Sequence, residues 1–139
     1  MVEVSPGRYL PRILVVDDSV VERNLLVHMV AKWGYPVEFA TSGQHAIELI
    51  KQEKIQLVLA DWQMPGMQGT ELCGILRELD LGHYTYIILM SAQNDEEFLI
   101  KALDAGADDV LAKPVDGNEL EARLQSAVRR IELQAQLAN

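Results

Sequence analysis

Residues 13–18, with the sequence Ile-Leu-Val-Val-Asp-Asp, consist of an apolar run followed by two acids. In three later segments, too, a polar residue directly follows an apolar run. These are 57–61 (Leu-Val-Leu-Ala-Asp), 87–91 (Ile-Ile-Leu-Met-Ser) and 110–114 (Val-Leu-Ala-Lys-Pro). A short apolar run without alternation is typical of a strand buried on both faces, as in a parallel sheet. The four runs therefore predict four such strands, and the polar residues mark their carboxyl ends.

Helical segments separate these strands. Strands are predicted near 12–16, 36–40, 56–60, 86–90 and 109–112, and helices near 19–33, 43–53, up to 79, 95–105 and from 118 onward. Strand 36–40 contains one acid, Glu38, which indicates an edge strand. Alternating strands and helices joined by right-handed crossovers predict an α/β fold with a doubly wound, five-stranded parallel sheet and five helices.

The sequence also indicates which face of the first helix is buried, where that helix begins and where the fourth helix ends. Val21, Leu25 and Met29 recur every four residues, which predicts the buried face of that helix. Ser19 is its expected N-cap, and Gly106 is the expected end of the fourth helix.

Length and composition indicate one domain, with 1–11 as a lead-in, 12–130 as the domain and 131–139 as an extension of the last helix. The net charge of −9 argues against direct nucleic-acid binding by this domain. No run of about 18 apolar residues exists, so we expect no membrane association. The single cysteine and the lack of a signal-peptide pattern fit a cytoplasmic protein.

The polar residues at the strand ends should converge, because ligands of open parallel sheets bind outside the carboxyl ends of the strands. Asp17, Asp18 and Asp61 would then need a counter-ion, and Mg²⁺ (or Mn²⁺) suits oxygen ligands and leaves room for a phosphate. Lys113 and Ser91 are candidates to bind phosphoryl oxygens. The structural alternatives are a helix cap at Asp18, a surface role for Lys113 and a cap at Ser91.

The combined pattern resembles the receiver domain of two-component response regulators over roughly residues 12–130. The resemblance rests on four segments: 15–19 (Val-Val-Asp-Asp-Ser), 59–66 (Leu-Ala-Asp-Trp-Gln-Met-Pro-Gly), 90–92 (Met-Ser-Ala) and 111–114 (Leu-Ala-Lys-Pro). It implies a flavodoxin-like, CheY-like fold with strand order 2-1-3-4-5.

The resemblance also implies roles for individual residues. Asp61 would be the phosphoacceptor, taking a phosphoryl group from a sensor histidine kinase or a phosphotransfer protein. Asp18, Asp61 and the backbone carbonyl of Gln63 would bind the metal directly, and Asp17 would act mainly through water. Lys113, preceding a cis peptide bond to proline, and Ser91 would bind the phosphoryl group.

One position departs from the family. Many receivers carry Tyr or Phe three residues before the lysine, and this chain has Val110 there. A valine cannot reproduce the inward turn of an aromatic ring, so we expect weak coupling between the acceptor site and the surface formed by the fourth helix, fifth strand and fifth helix.

Two other classes of protein fit these motifs less well. A phosphatase of the haloacid-dehalogenase type would carry Asp-x-Asp after the first strand and a cap region, whereas here the two acids are adjacent. A nucleotide-binding domain would carry a Gly-x-Gly-x-x-Gly or Walker A motif there, and neither is present.

The last helix indicates how this domain could be joined to an output domain. Its first apolar stripe is Leu120, Leu124, Ala127 and Ile131, after which Leu133 and Leu137 lie on another side of the helix. The segment 129–137 looks like the linker that joins receivers to diguanylate cyclase (GGDEF) domains. We therefore expect a homodimer through this helix and its neighbours, controlling an output domain such as a cyclase. The alternative is a single-domain regulator that docks a partner protein.

Overall fold

The computed structural model describes residues 10–93 and 95–137. Most of the predicted lead-in, residues 1–9, and the last two residues of the predicted extension, 138–139, lie outside the described part of the chain.

Strands and helices alternate along the chain, and each predicted boundary lies within one residue of the observed one. The strands are β1 (Ile13–Val16), β2 (Val37–Ala40), β3 (Leu57–Asp61), β4 (Tyr86–Ser91) and β5 (Asp109–Ala112). The helices are α1 (Val20–Lys32), α2 (Gly43–Gln52), α3 (Gly69–Glu78), α4 (Glu96–Ala105) and α5 (Gly117–Leu137).

The five strands form one parallel sheet in the order β2-β1-β3-β4-β5. The predicted fold class is therefore confirmed, and Glu38 does lie on an edge strand. Helices α2, α3 and α4 cover one face of the sheet, and α1 and α5 cover the other. In β1, Leu14 and Val16 join the first core and Ile13 and Val15 the second, which explains why the run shows no alternation.

The predicted buried face of α1 is wrong. Val21 and Leu25 are 78% and 58% exposed, and Leu26 and Val30 are buried instead. Apolar residues surround most of α1, so their spacing allows several faces to be the buried one. Packing against the sheet and α5 selects the face that contains Leu26 and Val30.

The predicted helix ends are confirmed at both positions. The Ser19 hydroxyl accepts a hydrogen bond from the Glu22 amide at 3.3 Å and caps α1. Gly106 ends α4 with φ of 111°, a left-handed conformation that glycine adopts without strain. The Arg77 side chain covers this turn, since its Nε donates to the Gly106 carbonyl at 2.9 Å.

Helix α5 is continuous over 21 residues. Its stripe of Leu120, Leu124, Ala127 and Ile131 is buried, as predicted, whereas Leu133 and Leu137 are 52% and 73% exposed. Among the described residues, no helix combines the length and the apolar character that crossing a membrane requires.

Candidate functional site

The register of the sheet brings the predicted polar residues to one edge. Val16 pairs with Ala60, so the next residues along the chain, Asp17 and Asp61, leave neighbouring strands at the same level. On the other side of β3, Ser91 pairs with Ala112. The Lys113 amide then donates to the Ser91 carbonyl at 2.9 Å, which places the lysine at this edge too.

Lys113 is the cation at the centre of this site. Its Nζ lies 2.7 Å from Glu22 Oε2, 3.0 Å from Asp61 Oδ2 and 3.9 Å from Asp17 Oδ2. Its peptide bond to Pro114 is cis, as the resemblance implies. Burial lowers the pKa of Lys113, but hydrogen bonds to Glu22 and Asp61 more than offset this and raise it above its ordinary value. The lysine therefore stays charged and neutralises part of the acidic cluster.

Asp17 is fully buried at the end of β1. Its Oδ1 accepts a hydrogen bond from the Ser19 amide at 2.9 Å, and its Oδ2 has no hydrogen-bond partner. Burial raises the pKa of Asp17 to about 6, although the Ser19 amide and Lys113 oppose this shift. Arg23 holds the backbone here, because its Nη1 donates to the Asp17 carbonyl at 3.1 Å. Although Lys113 Nζ lies 3.9 Å from this buried oxygen, the oxygen has no hydrogen bond and a closer cation would satisfy it.

The candidate phosphoacceptor Asp61 is buried at the end of β3. Burial raises the pKa of its carboxyl, and the hydrogen bond from Lys113 only partly offsets this. The chain after it is tightly held. The Gly69 amide donates to the Trp62 carbonyl at 2.7 Å, and a Cβ at Gly69 would lie 2.6 Å from the Asp61 carbonyl oxygen. Only a glycine allows this close approach.

Glu22 belongs to the site although the sequence did not identify it. One carboxylate oxygen from each of Asp17, Glu22 and Asp61 lies within 4.8 Å of the other two. Glu22 stands three residues after the N-cap Ser19, a spacing that fits a capping box, but its carboxylate accepts a hydrogen bond from Lys113 at 2.7 Å. Hydrogen bonding from Lys113 lowers the pKa of Glu22.

The remaining predicted residues are less central. Asp18 and Gln63 are exposed, and Asp18 is not one of the three clustered acids. The roles expected for Asp18 and for the Gln63 carbonyl stay predictions. Ser91 is buried, and its hydroxyl accepts a hydrogen bond from the Gln93 amide at 3.0 Å.

Comparison with known proteins identifies the family. The sequence profile of the response regulator receiver domain matches residues 13–125. The transcriptional regulatory protein AfsQ1 of Streptomyces coelicolor is 33% identical over 121 residues, which are 87% of this chain and 52% of AfsQ1. The chain spans about half the length of the curated relatives it matches.

Solved structures agree. A CheY-like receiver domain protein of Methanospirillum hungatei is 30% identical with a TM-score of 0.81, covering 89% of this chain and 98% of that one. The co-crystal structure of the Saccharomyces cerevisiae phosphotransfer protein Ypd1 and the receiver domain of Ssk1 matches at 24% identity with a TM-score of 0.79, covering 87% and 92% of the two chains, and shows the fold alone. With the profile covering most of its length, this chain belongs to the response regulator receiver domain family.

Proposed function

We propose that this receiver domain accepts a phosphoryl group on Asp61 from a phosphohistidine of a sensor histidine kinase or a phosphotransfer protein. The observation that carries the proposal is the 3.0 Å contact between Lys113 Nζ and Asp61 Oδ2 at the carboxyl edge of the sheet. The aspartate is thereby paired with a cation that a phosphoryl group also requires.

The transfer is a substitution at phosphorus. An Asp61 carboxylate oxygen forms a bond to phosphorus while the bond from phosphorus to the donor histidine nitrogen breaks. The electron pair of that bond returns to the imidazole. We expect Lys113 and the Ser91 hydroxyl to donate to phosphoryl oxygens, and Ser91 can do so while its oxygen accepts from the Gln93 amide.

The residues fit a divalent cation. Asp17 Oδ2 is buried without a hydrogen-bond partner, and the three clustered carboxylates are oxygen ligands of the kind that Mg²⁺ and Mn²⁺ take. Asp18, Asp61 and the Gln63 carbonyl would hold the ion directly, and Asp17 would contribute mainly through water. Such an ion neutralises charge on the transferring group and orients it.

A small phosphodonor such as acetyl phosphate tests this assignment. Intact-mass spectrometry should show a phosphoryl adduct on the wild-type chain that persists for seconds to hours. Asp61→Asn should show none, and Lys113→Ala should form it more slowly. The exposed acid Asp104→Asn is the control and should behave as wild type. An adduct on Asp61→Asn at the wild-type rate would exclude Asp61, and rapid turnover of the donor would favour a phosphatase.

The partner and output are proposals supported by relatives. In the Ypd1–Ssk1 complex a receiver domain of the same fold is bound to a phosphotransfer protein, which is one of the two donor classes proposed here. AfsQ1 and PhoB of Pseudomonas aeruginosa are named as transcriptional regulatory proteins, which supports a transcriptional output domain attached to this receiver. The cyclase output expected from residues 129–137 has no support among these relatives. A single-domain regulator remains the alternative, and the cytoplasmic location stays a prediction.

We also propose that the exposed leucines of α5 pair two copies of the chain. Leu133 and Leu137 are four residues apart on one side of the helix and are exposed. Sedimentation with and without a phosphoryl mimic tests this, with a chain ending at Ile131 as the comparison. A monomer in both states, unchanged by that truncation, would contradict the dimer and favour the single-domain alternative.

A further inference from the structure

The nearest carboxylate to Lys113 belongs to Glu22, which the family resemblance did not assign to the site. Lys113 Nζ donates to Glu22 Oε2 at 2.7 Å, a shorter distance than its 3.0 Å to Asp61. The two residues are 91 positions apart, and they meet because α1 lies beside the segment 113–115 that follows β5. In this state the lysine is shared between Glu22 and the acceptor.

A phosphoryl group on Asp61 would need that same ammonium. A lysine has three N–H donors on one compact charge, so Glu22 occupies one donor and neutralises part of the charge that would otherwise attract a phosphoryl oxygen. A nearby Glu22 carboxylate also repels a phosphoryl group, which carries close to two negative charges. Both effects favour the unphosphorylated state.

Glu22 is the partner that is able to move away. Its side chain is 49% exposed, whereas that of Lys113 is 16% exposed. The Lys113 backbone is held by the bond from its amide to the Ser91 carbonyl. The N-cap hydrogen bond of α1 does not use the Glu22 carboxylate, because it joins the Glu22 backbone amide and the Ser19 hydroxyl.

We propose that Glu22 is a positioning residue that holds Lys113 in the resting chain and opposes the phosphorylated state, because a phosphoryl group on Asp61 competes with Glu22 for the lysine. The inference rests on the proposed function of Asp61. It predicts that this chain accumulates less acyl phosphate than the same chain without a carboxylate at position 22.

Glu22→Gln tests the inference, since it keeps the size of the side chain and removes its charge. The probe is beryllofluoride, a phosphoryl mimic, titrated at saturating Mg²⁺ with tryptophan fluorescence as the readout. Glu22→Gln should bind the mimic about threefold to tenfold more tightly than wild type, the range expected for release of a partly exposed ion pair. Glu48→Gln, an exposed acid on α2, is the matched control and should bind as wild type.

Two further measurements separate this contact from other causes. Glu22→Gln should not bind Mg²⁺ alone more tightly, because it lacks one carboxylate, whereas a merely loosened fold would weaken binding of both Mg²⁺ and the mimic. The gain in mimic affinity should persist in 0.5 M salt, where the field of an exposed charge is largely screened but a partly buried contact is not. If the gain in mimic affinity of Glu22→Gln disappears in 0.5 M salt, the inference is wrong.

The remaining outcomes separate the inference from the proposed function. If Asp61→Asn abolishes mimic binding but Glu22→Gln binds as wild type or more weakly, the role of Glu22 is wrong and that of Asp61 stands. If Asp61→Asn binds the mimic as tightly as wild type, the proposed function is wrong and the inference is wrong with it.

Discussion

The indole of Trp62 stacks on the ring of Phe98, with the ring centroids 4.3 Å apart and the planes 27° from parallel. Trp62 directly follows the candidate acceptor Asp61, and Phe98 lies in the first turn of α4, where it is 2% exposed. A direct aromatic contact therefore joins the acceptor loop to α4. Val110, at the position where many receivers have an aromatic ring, is partly buried against the same core.

This stack predicts how phosphorylation affects α4. We expect a phosphoryl mimic to change amide chemical shifts in α4 near Phe98, with only weak changes at Val110. Phe98→Leu should reduce the α4 changes and cost about 1–2 kcal/mol of unfolding free energy, because an aromatic pair is lost from the core. Val110→Ala is the control and should leave the α4 changes in place. Changes centred on Val110 and as large as those at Asp61 would contradict the prediction.

Trp62 should report binding of a divalent cation. In a Trp33→Phe background, Mg²⁺ should quench the emission of Trp62, because the adjacent Asp61 is an expected ligand of the ion. Asp17→Asn and Asp18→Asn should each weaken the Mg²⁺ affinity measured by this quenching about tenfold or more, a range typical of losing a group that supports a metal site. Emission that stays constant throughout a Mg²⁺ titration of the folded wild type would show that the cation does not bind here.

The buried carboxyl of Asp17 should make stability depend on pH. Its pKa is raised from 3.8 to about 6 by burial, so the folded state holds the proton more tightly than the unfolded state. The stabilisation is fully present below the unfolded value of 3.8 and is lost as the pH rises through about 6.

Asp17→Asn removes the titrating carboxyl, and with it the loss of stability as the pH rises. Without divalent cations, we expect the variant to exceed wild type in unfolding free energy at pH 7 by about 1–3 kcal/mol, and the gap to close near pH 4. Urea unfolding at several pH values measures the difference, with the exposed Asp104→Asn as control. A wild type that is the more stable chain at pH 7 without cations would show that Lys113 compensates Asp17 in full.

The two adjacent leucines of α1 provide a matched test of its orientation. Leu26 is 3% exposed and Leu25 is 58% exposed. Leu26→Ala should lower the unfolding free energy by about 2–5 kcal/mol, because it leaves a cavity beneath the helix. Leu25→Ala should change it by less than about 1 kcal/mol. Equal losses in urea unfolding would show that α1 presents a different face to the sheet.

The sequence by itself determined the sheet and the edge at which its polar residues meet. A strand buried on both faces has to be apolar throughout, and parallel strands bring all their carboxyl ends to one edge. The runs before Asp17, Asp61 and Lys113 could therefore be read without coordinates, and the structure places these three side chains together. The start of α1 at Ser19 and the end of α4 at Gly106 were equally predictable, because capping is local chemistry.

Only the tertiary structure decided which face of α1 is buried and where Glu22 points. The apolar residues of α1 fit more than one face, and the choice of Leu26 over Leu25 comes from packing against β1 and α5. The Glu22–Lys113 and Trp62–Phe98 contacts join residues distant in the chain, so no local pattern encodes them. Periodicity and capping act within a few residues, whereas these contacts depend on how the helices pack against the sheet.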